Sequence, residues 1–175
     1  MAISQRNLWE AASRPSRKVV AASLDEAISK SKQTAFLCHS HKDQTLAKGL
    51  QALLVEDGWD VYIDWQDEEM PASPNKQTAA NIKSKIKIVD WFLFLATQNS
   101  TVSRWCPWEI GYADAVKANE KILIVPTADD SGHWYGNEYL QLYKKIEGAS
   151  DTITKRSGYA VFNPGSTSGV WVSGL

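Results

Sequence analysis

The chain holds only two cysteines, Cys38 and Cys106, in 175 residues. Two thiols cannot build a disulfide framework, and their scarcity fits a reducing compartment. Neither sign of charge is in excess: 19 Lys and Arg stand against 20 Asp and Glu, a formal net charge of −1. That balance removes the broad attraction to phosphate that non-specific nucleic-acid binding needs, so no nucleic-acid partner is expected. No apolar run approaches the roughly 18 residues of a membrane-crossing helix. The opening stretch MAISQRNLWEAASRPSRKVV has charges scattered where a signal peptide has its apolar core. A cytoplasmic protein with no membrane partner is expected. HSHKDQ, after the first apolar run, lacks the glycines of a phosphate-binding loop. The thiol and two imidazoles of CHSH meet no second cluster at zinc-site spacing, so no metal is expected. Neither an internal repeat nor a dividing linker is present, and the length suits one domain.

What is present alternates. TAFLCH, WDVYID, VDWFLFLAT, KILIVP and GYAVFNP read as five strands, the third a nearly continuous apolar run as a central parallel strand should be. Between them lie helical patterns. In KDQTLAKGLQALLVEDG, residues Leu46, Leu50, Leu53 and Leu54 share one face, with Asp43 as N-cap and Gly58 as stop. KQTAANIKSKIKI turns Ala79, Ile82 and Ile86 inward and Lys83, Lys85 and Lys87 outward. NEYLQLYKKIEG reads as a late helix and SLDEAISKSKQ as an extra one before the first strand. QNSTVS reads as a loop, and GSTSGVWVSG as a small, polar, loosely held tail. The fold class expected is α/β: an open five-stranded parallel sheet with helices on both faces and right-handed crossovers. Ligands of such sheets bind beyond the carboxyl ends of the strands. That rim would collect HSHKD, DWQDEEMPASP and QNSTVSRW.

The stretch SRWCPWEIGYADAV sets one acid among apolar groups. At about 100° per residue from Trp105, Val116 falls near 20°, Ala113 near 80°, Tyr112 near 340° and Trp108 near 300°. Glu109 falls near 40°, inside that arc. A buried glutamate needs a partner or a task. One reading is modest: an acid in the first turn complements the helix dipole, and Pro107 allows the helix to begin as late as Cys106, leaving Trp105 outside it. Spacing alone leans toward that reading.

AFLCHSHKD, WDVYIDWQDEEMP and FLFLATQNSTVSRWCPWEIGYADA resemble, in order and spacing, the three boxes of the TIR (Toll/interleukin-1 receptor homology) domain family. The resemblance implies a flavodoxin-like TIR fold over residues 34–163, with 1–33 as an N-terminal extension carrying a helix and 164–175 as a C-terminal tail. Trp105 and Glu109 match the Trp-x-x-x-Glu signature of TIR domains that cleave NAD. Cys38 stands where bacterial members usually have serine, His39 where they often have tyrosine, and Ala72 follows Pro71 where glycine is usual. By this resemblance Glu109 is the catalytic residue, and the catalytic reading overtakes the modest one. His39, Ser40, Asp64, Glu69 and Trp105 are the candidate substrate-binding residues. His39 and Ser40 would line the nicotinamide end, or simply finish a strand. Asp64 and Glu69 would contact ribose or order their loop, or lie on a solvated surface. Trp65 would be a lid or interface residue.

The chemistry fits one carboxylate. Glycosidases need a second acid to protonate a departing alcohol. Nicotinamide in NAD+ is already cationic and leaves neutral, so a single carboxylate beside the ribose can stabilise the oxocarbenium charge. NAD+ is then substrate, not cofactor. The activity implied is NAD+ nucleosidase or cyclase, giving ADP-ribose or a cyclic isomer, as in the TIR proteins of Thoeris antiphage defence, whose nucleotide product reaches a downstream effector. Other TIR copies are implied as partners by self-assembly, through the loop bearing Trp65 and Met70 and the lysine-rich helix NIKSKIK. Two alternatives remain: a non-catalytic TIR adaptor, and a nucleoside 2-deoxyribosyltransferase-like enzyme. A Cys38-centred nucleophile is the weaker option, since a thiol in a central strand is usually inert packing.

Overall fold

The computed structural model describes residues 1–15, 20–64 and 76–175. Its elements run β1 (Ile3–Ser4), α1 (Gln5–Ala12), α2 (Leu24–Ser29), β2 (Gln33–Cys38), α3 (Gln44–Glu56), β3 (Val61–Asp64), α4 (Lys76–Ile88), β4 (Trp91–Ala96), α5 (Gln98–Thr101), α6 (Cys106–Val116), β5 (Ile122–Ala128), β6 (Trp134–Tyr135), β7 (Lys144–Ser150), β8 (Ser157–Phe162) and β9 (Gly169–Trp171). The sheet order is β3-β2-β4-β5-β7-β8-β9. The first five of these strands are parallel, and β8 and β9 add antiparallel. This is the α/β architecture expected, with antiparallel strands extending one edge.

Strand alternation divides the core into two layers. Ala35, Leu37, Leu93, Leu95, Leu123 and Val125 point one way, into a cluster with Leu8 and Ala11 of α1 and Leu46, Leu50 and Leu54 of α3. Phe36, Cys38, Phe92, Phe94, Ile122 and Ile124 point the other way, to Ile82 and Ile86 of α4 and Cys106, Ile110 and Ala113 of α6. The leucine face of α3 and the isoleucines of α4 are therefore as expected, and Gly58 follows α3 with φ +95, a left-handed stop.

Several segments differ from expectation. Residues 137–148 form a 3-10 turn (Glu138–Leu142) and then β7, the fifth parallel strand. Leu140, Tyr143 and Ile146 are spaced three apart and mimic a helix. Pairing with β5 on one side and with β8 along six residues on the other overrides that local pattern. The segment GYAVFNP is β8, antiparallel to β7. QNSTVS contains α5, closed by a reciprocal cap in which Thr97 Oγ1 accepts from Ser100 N–H and Ser100 Oγ from Thr97 N–H. The tail is anchored: β9 pairs with β8, Val172 is fully buried, and the Arg156 guanidinium stacks 4.3 Å from the Trp171 ring. Asp43 precedes α3 but makes no cap with its side chain.

Ahead of β2, Ser23 caps α2, and α1, absent from the sequence reading, packs on α3. The contact is intimate because residue 49 is glycine: a Cβ there would stand 1.9 Å from the Leu8 carbonyl oxygen. β1 lies along the carboxyl end of β5, pairing Ile3 with Thr127, and Gly148 N–H of β7 donates to the Met1 carbonyl at 2.9 Å.

Candidate functional site

The site begins where α5 hands over to α6. Ser103 Oγ accepts from the N–H groups of Trp105 (3.1 Å) and Cys106 (3.3 Å), two of the donors a helix start leaves over. Pro107, in the first turn, brings no N–H that needs a partner. Trp105 is the N-cap residue, just outside the helix, and Glu109 N–H donates to its carbonyl at 2.8 Å. The inward face is Cys106, Glu109, Ile110 and Ala113, at the i, i+3, i+4, i+7 spacing. It is turned from the face projected through Trp105 and Val116, and Val116 is 40% exposed. Pro107 sets the start at Cys106, and the phase follows from that. Glu109 stays inside under either phase and is 4% exposed.

Glu109 meets the end of β2. The Cys38 thiol lies against it and against Cys106, whose carbonyl oxygen is 3.8 Å from the Cys38 sulfur. Burial above all, then the Cys106 side chain and the Glu109 charge, push the Cys38 pKa well above the ordinary thiol range. The group is a protonated S–H, not a thiolate nucleophile. Tyr139, from the turn before β7, completes this neighbourhood. It is 40% exposed, and its phenol is shifted upward first by burial and then by the nearby Cys38 and Cys106. Its neighbours in the turn are fixed: Leu140 is buried, and Tyr143 OH donates to Asp114 of α6 at 3.0 Å. Reading this segment as a helix hid Tyr139; its one sequence signal was the apolar pair that follows it, Leu140 and Tyr143.

The other expected residues divide. His39 directly follows Cys38, with Nδ1 2.9 Å from the Leu37 carbonyl, and Ser40 is buried at the start of the next turn. Trp105 is half-buried and meets Trp108 edge-on, centroids 5.2 Å apart. Trp108 in turn stacks on Tyr112, and Lys83 of α4 lies over both rings at 5.6 and 5.3 Å. Asp64 is paired across the sheet with Phe36, two residues short of Cys38. Its carboxylate is held by Lys85 at 2.9 Å. Of the lysines expected to face outward, Lys83 is exposed and lies over the two rings, while Lys85 is half-buried against Asp64. Glu69, Trp65, Met70, Pro71 and Ala72 lie outside the described residues. Among the described residues no three His, Cys, Asp or Glu side chains are grouped to hold a metal ion, and no helix is long and apolar enough to cross a membrane.

Asp43 was read from the sequence only as a cap. It is buried, with Oδ2 2.6 Å from Thr97 Oγ1 and Oδ1 2.7 Å from Asn99 Nδ2, so it ties the turn after β2 to α5.

Two comparisons bear on this arrangement. The family described as "TIR domain" matches residues 35–152. A protein of Bacillus cereus (strain MSX-D12), named probable 3' cyclic ADP-D-ribose synthase ThsB', is 34% identical over 113 residues. That match takes in 63% of this chain and 58% of the relative, so less than two thirds of the relative's length is spanned.

Proposed function

Because the chain belongs to the TIR-domain family, we propose that it cleaves the nicotinamide–ribose bond of NAD+, with Glu109 as the catalytic carboxylate. The observation that carries this reading is the placement of Glu109: a 4% exposed acid in the first turn of α6, against the carboxyl end of β2, with Trp105 at its N-cap.

In the proposed reaction the C1′–N bond breaks and its electron pair stays with nicotinamide, which departs neutral. The ribose carries the developing positive charge. Glu109 stabilises that charge where water is largely excluded and the interaction is correspondingly strong. No proton donor is needed for departure, which suits a site whose thiol is held as S–H by burial and by Glu109. Trp105 walls the site or stacks on an aromatic ring of the substrate. His39 and Ser40 line its β2 side. Asp64, already paired with Lys85, fits ordering of the segment that follows it better than direct ribose contact, and Glu69 stays a proposed ribose or ordering residue of that segment.

Water attack on the cation gives ADP-ribose; attack by a hydroxyl of the same molecule gives a cyclic isomer one water lighter. The relative's name, a probable 3' cyclic ADP-D-ribose synthase, favours cyclisation; a signalling role in antiphage defence, with the product acting on a separate effector, is proposed from the resemblance to Thoeris TIR proteins. Activation by assembly with further TIR copies in the cytoplasm belongs to the same proposal. Lys83 is exposed over the Trp108 and Tyr112 rings, whereas Lys85 is paired with Asp64; Lys83, with Trp65 and Met70, is the proposed contact.

The test is incubation of the purified protein with NAD+ and, separately, with deoxynucleosides, followed by mass spectrometry. Free nicotinamide with ADP-ribose or its cyclic isomer is expected. Base exchange on deoxynucleosides would assign a deoxyribosyltransferase instead. Turnover of neither, in protein shown to be assembled, would assign an adaptor.

A further inference from the structure

We infer that Asp43 is a positioning residue that locks together the two segments carrying the site, the turn after β2 and the start of α6. The inference rests on the NAD+-cleaving reading for its kinetic consequence, though not for its structural one.

Asp43 ends the 3-10 turn His41–Asp43, directly after His39 and Ser40. Its N–H donates to the Ser40 carbonyl at 2.7 Å, which fixes the turn locally. Its carboxylate, 4% exposed, then reaches across to the segment after β4. Oδ2 takes the Thr97 hydroxyl proton at 2.6 Å and Oδ1 takes an Asn99 amide proton at 2.7 Å. Both bonds are charge-assisted and short, the strong kind.

Thr97 is arranged for this. Its Oγ1 already accepts from Ser100 N–H at 3.0 Å, so its single proton is left to give. The Ser100 hydroxyl oxygen is farther, at 3.4 Å, than Asp43. Thr97 therefore caps α5 as an acceptor and binds Asp43 as a donor in the same geometry. α5 ends two residues before Ser103, whose hydroxyl oxygen holds the N–H groups of Trp105 and Cys106. Glu109 hangs one turn below, its N–H on the Trp105 carbonyl. A continuous run of short links thus joins His39 and Ser40 to Trp105 and Glu109. A capping aspartate would be replaceable by Ser; one that takes two bonds across to another segment is not, because a shorter side chain leaves buried donors unpaired, and Asn serves only when the Asn99 amide turns over to meet it.

The test uses a charge relocation. Asn99→Asp sets a second carboxylate against Asp43 and should part the two segments. Asp43→Asn alone keeps both bonds if the Asn99 amide turns over, so its effect should be small. The double variant Asp43→Asn/Asn99→Asp moves the single charge to position 99 and should restore the lock. The expected result, measured well below each melting temperature, is a roughly tenfold to hundredfold fall in kcat of NAD+ cleavage for Asn99→Asp with a smaller change in KM, and recovery to within about threefold in the double variant. Amide exchange at Trp105 and Cys106 should accelerate and recover in parallel. Folded Asn99→Asp with unchanged kcat and unchanged exchange at those two amides overturns the inference, as does a double variant no better than Asn99→Asp. If the wild type releases no nicotinamide, the NAD+ reading has failed by itself, and exchange at Trp105 and Cys106 alone decides whether Asp43 holds the segments.

Discussion

The two faces of the sheet do different work. Toward α1 and α3 the buried cluster is aliphatic with two tryptophans, with Tyr159 packed at its edge. Toward α4 and α6 the same strands present Cys38 and phenylalanines, and that layer holds the buried acid Glu109, two thiols and the hydrogen-bonded Tyr143. The first face is free to be packed for stability, since nothing on it must react. The second accepts a buried carboxylate and its desolvation cost, which the proposed reaction would put to use. The lesson is that damage to the two faces should separate: stability falls on one side, turnover on the other.

The widest separation is expected from truncation on the aliphatic face. Leu50→Ala should lower unfolding free energy by about 2–5 kcal/mol, as buried leucines do, while nicotinamide release per folded molecule stays near wild type. Gly49→Ala attacks the same layer by overpacking, because its Cβ would meet the Leu8 carbonyl at 1.9 Å. A loss of about 1–3 kcal/mol is expected, read as a lower denaturation midpoint. Loss of turnover in either variant at a temperature where it is fully folded would break the comparison.

On the other face, Trp105 and Trp108 sharpen it. Trp105→Ala should cut turnover or NAD+ affinity more than Trp108→Ala does. Trp108→Ala should cost about 1 kcal/mol, since the ring is half-buried and supports Lys83 and the edge of Trp105. Denaturant melts and NAD+ titrations of the two variants check both halves. The opposite ranking would place the substrate on the outer aromatic row.

The smallest effect is alkaline. Tyr143 is pushed up to about 12 by burial and then by its hydrogen bond to Asp114, and Cys38 well above its ordinary range by burial and its neighbours. Both hold protons in the folded chain that the unfolded chain gives up near pH ~8.5 and ~10. Their contribution is whole below those values and is lost as pH rises through the folded pKa values. Melting temperature should therefore decline above about pH 9, and Cys38→Ala should remove the earlier part of the decline. A flat profile to pH ~11 would contradict this assignment.

Legibility followed the same division. The helices α3 and α4 were readable because each buries a stripe of period 3.6, and the strands β2 to β5 because each is a short run buried almost throughout. Residues 137–148 were misread because spacing of three is shared by a helix and by a turn leading into a strand, and because β7 is fixed by partners distant in sequence. The two sulfurs beside Glu109, and Tyr139 near those sulfurs, share the same difficulty: β2, α6 and the turn before β7 meet only in the fold. Glu109 was found because a charge at an inward position is visible in one dimension. Asp43 was found but given a local role, since its partners Thr97 and Asn99 lie more than fifty residues away.

The most direct measurement compares Glu109→Gln with wild type in one preparation, recording nicotinamide release from NAD+ and the thermal melt together. Glutamine keeps the shape and removes the charge. The expected result is near-complete loss of release with a melting temperature close to wild type. Wild-type release from Glu109→Gln would remove the carboxylate from the chemistry, and a large fall in melting temperature with proportionate loss of release would make Glu109 a structural acid.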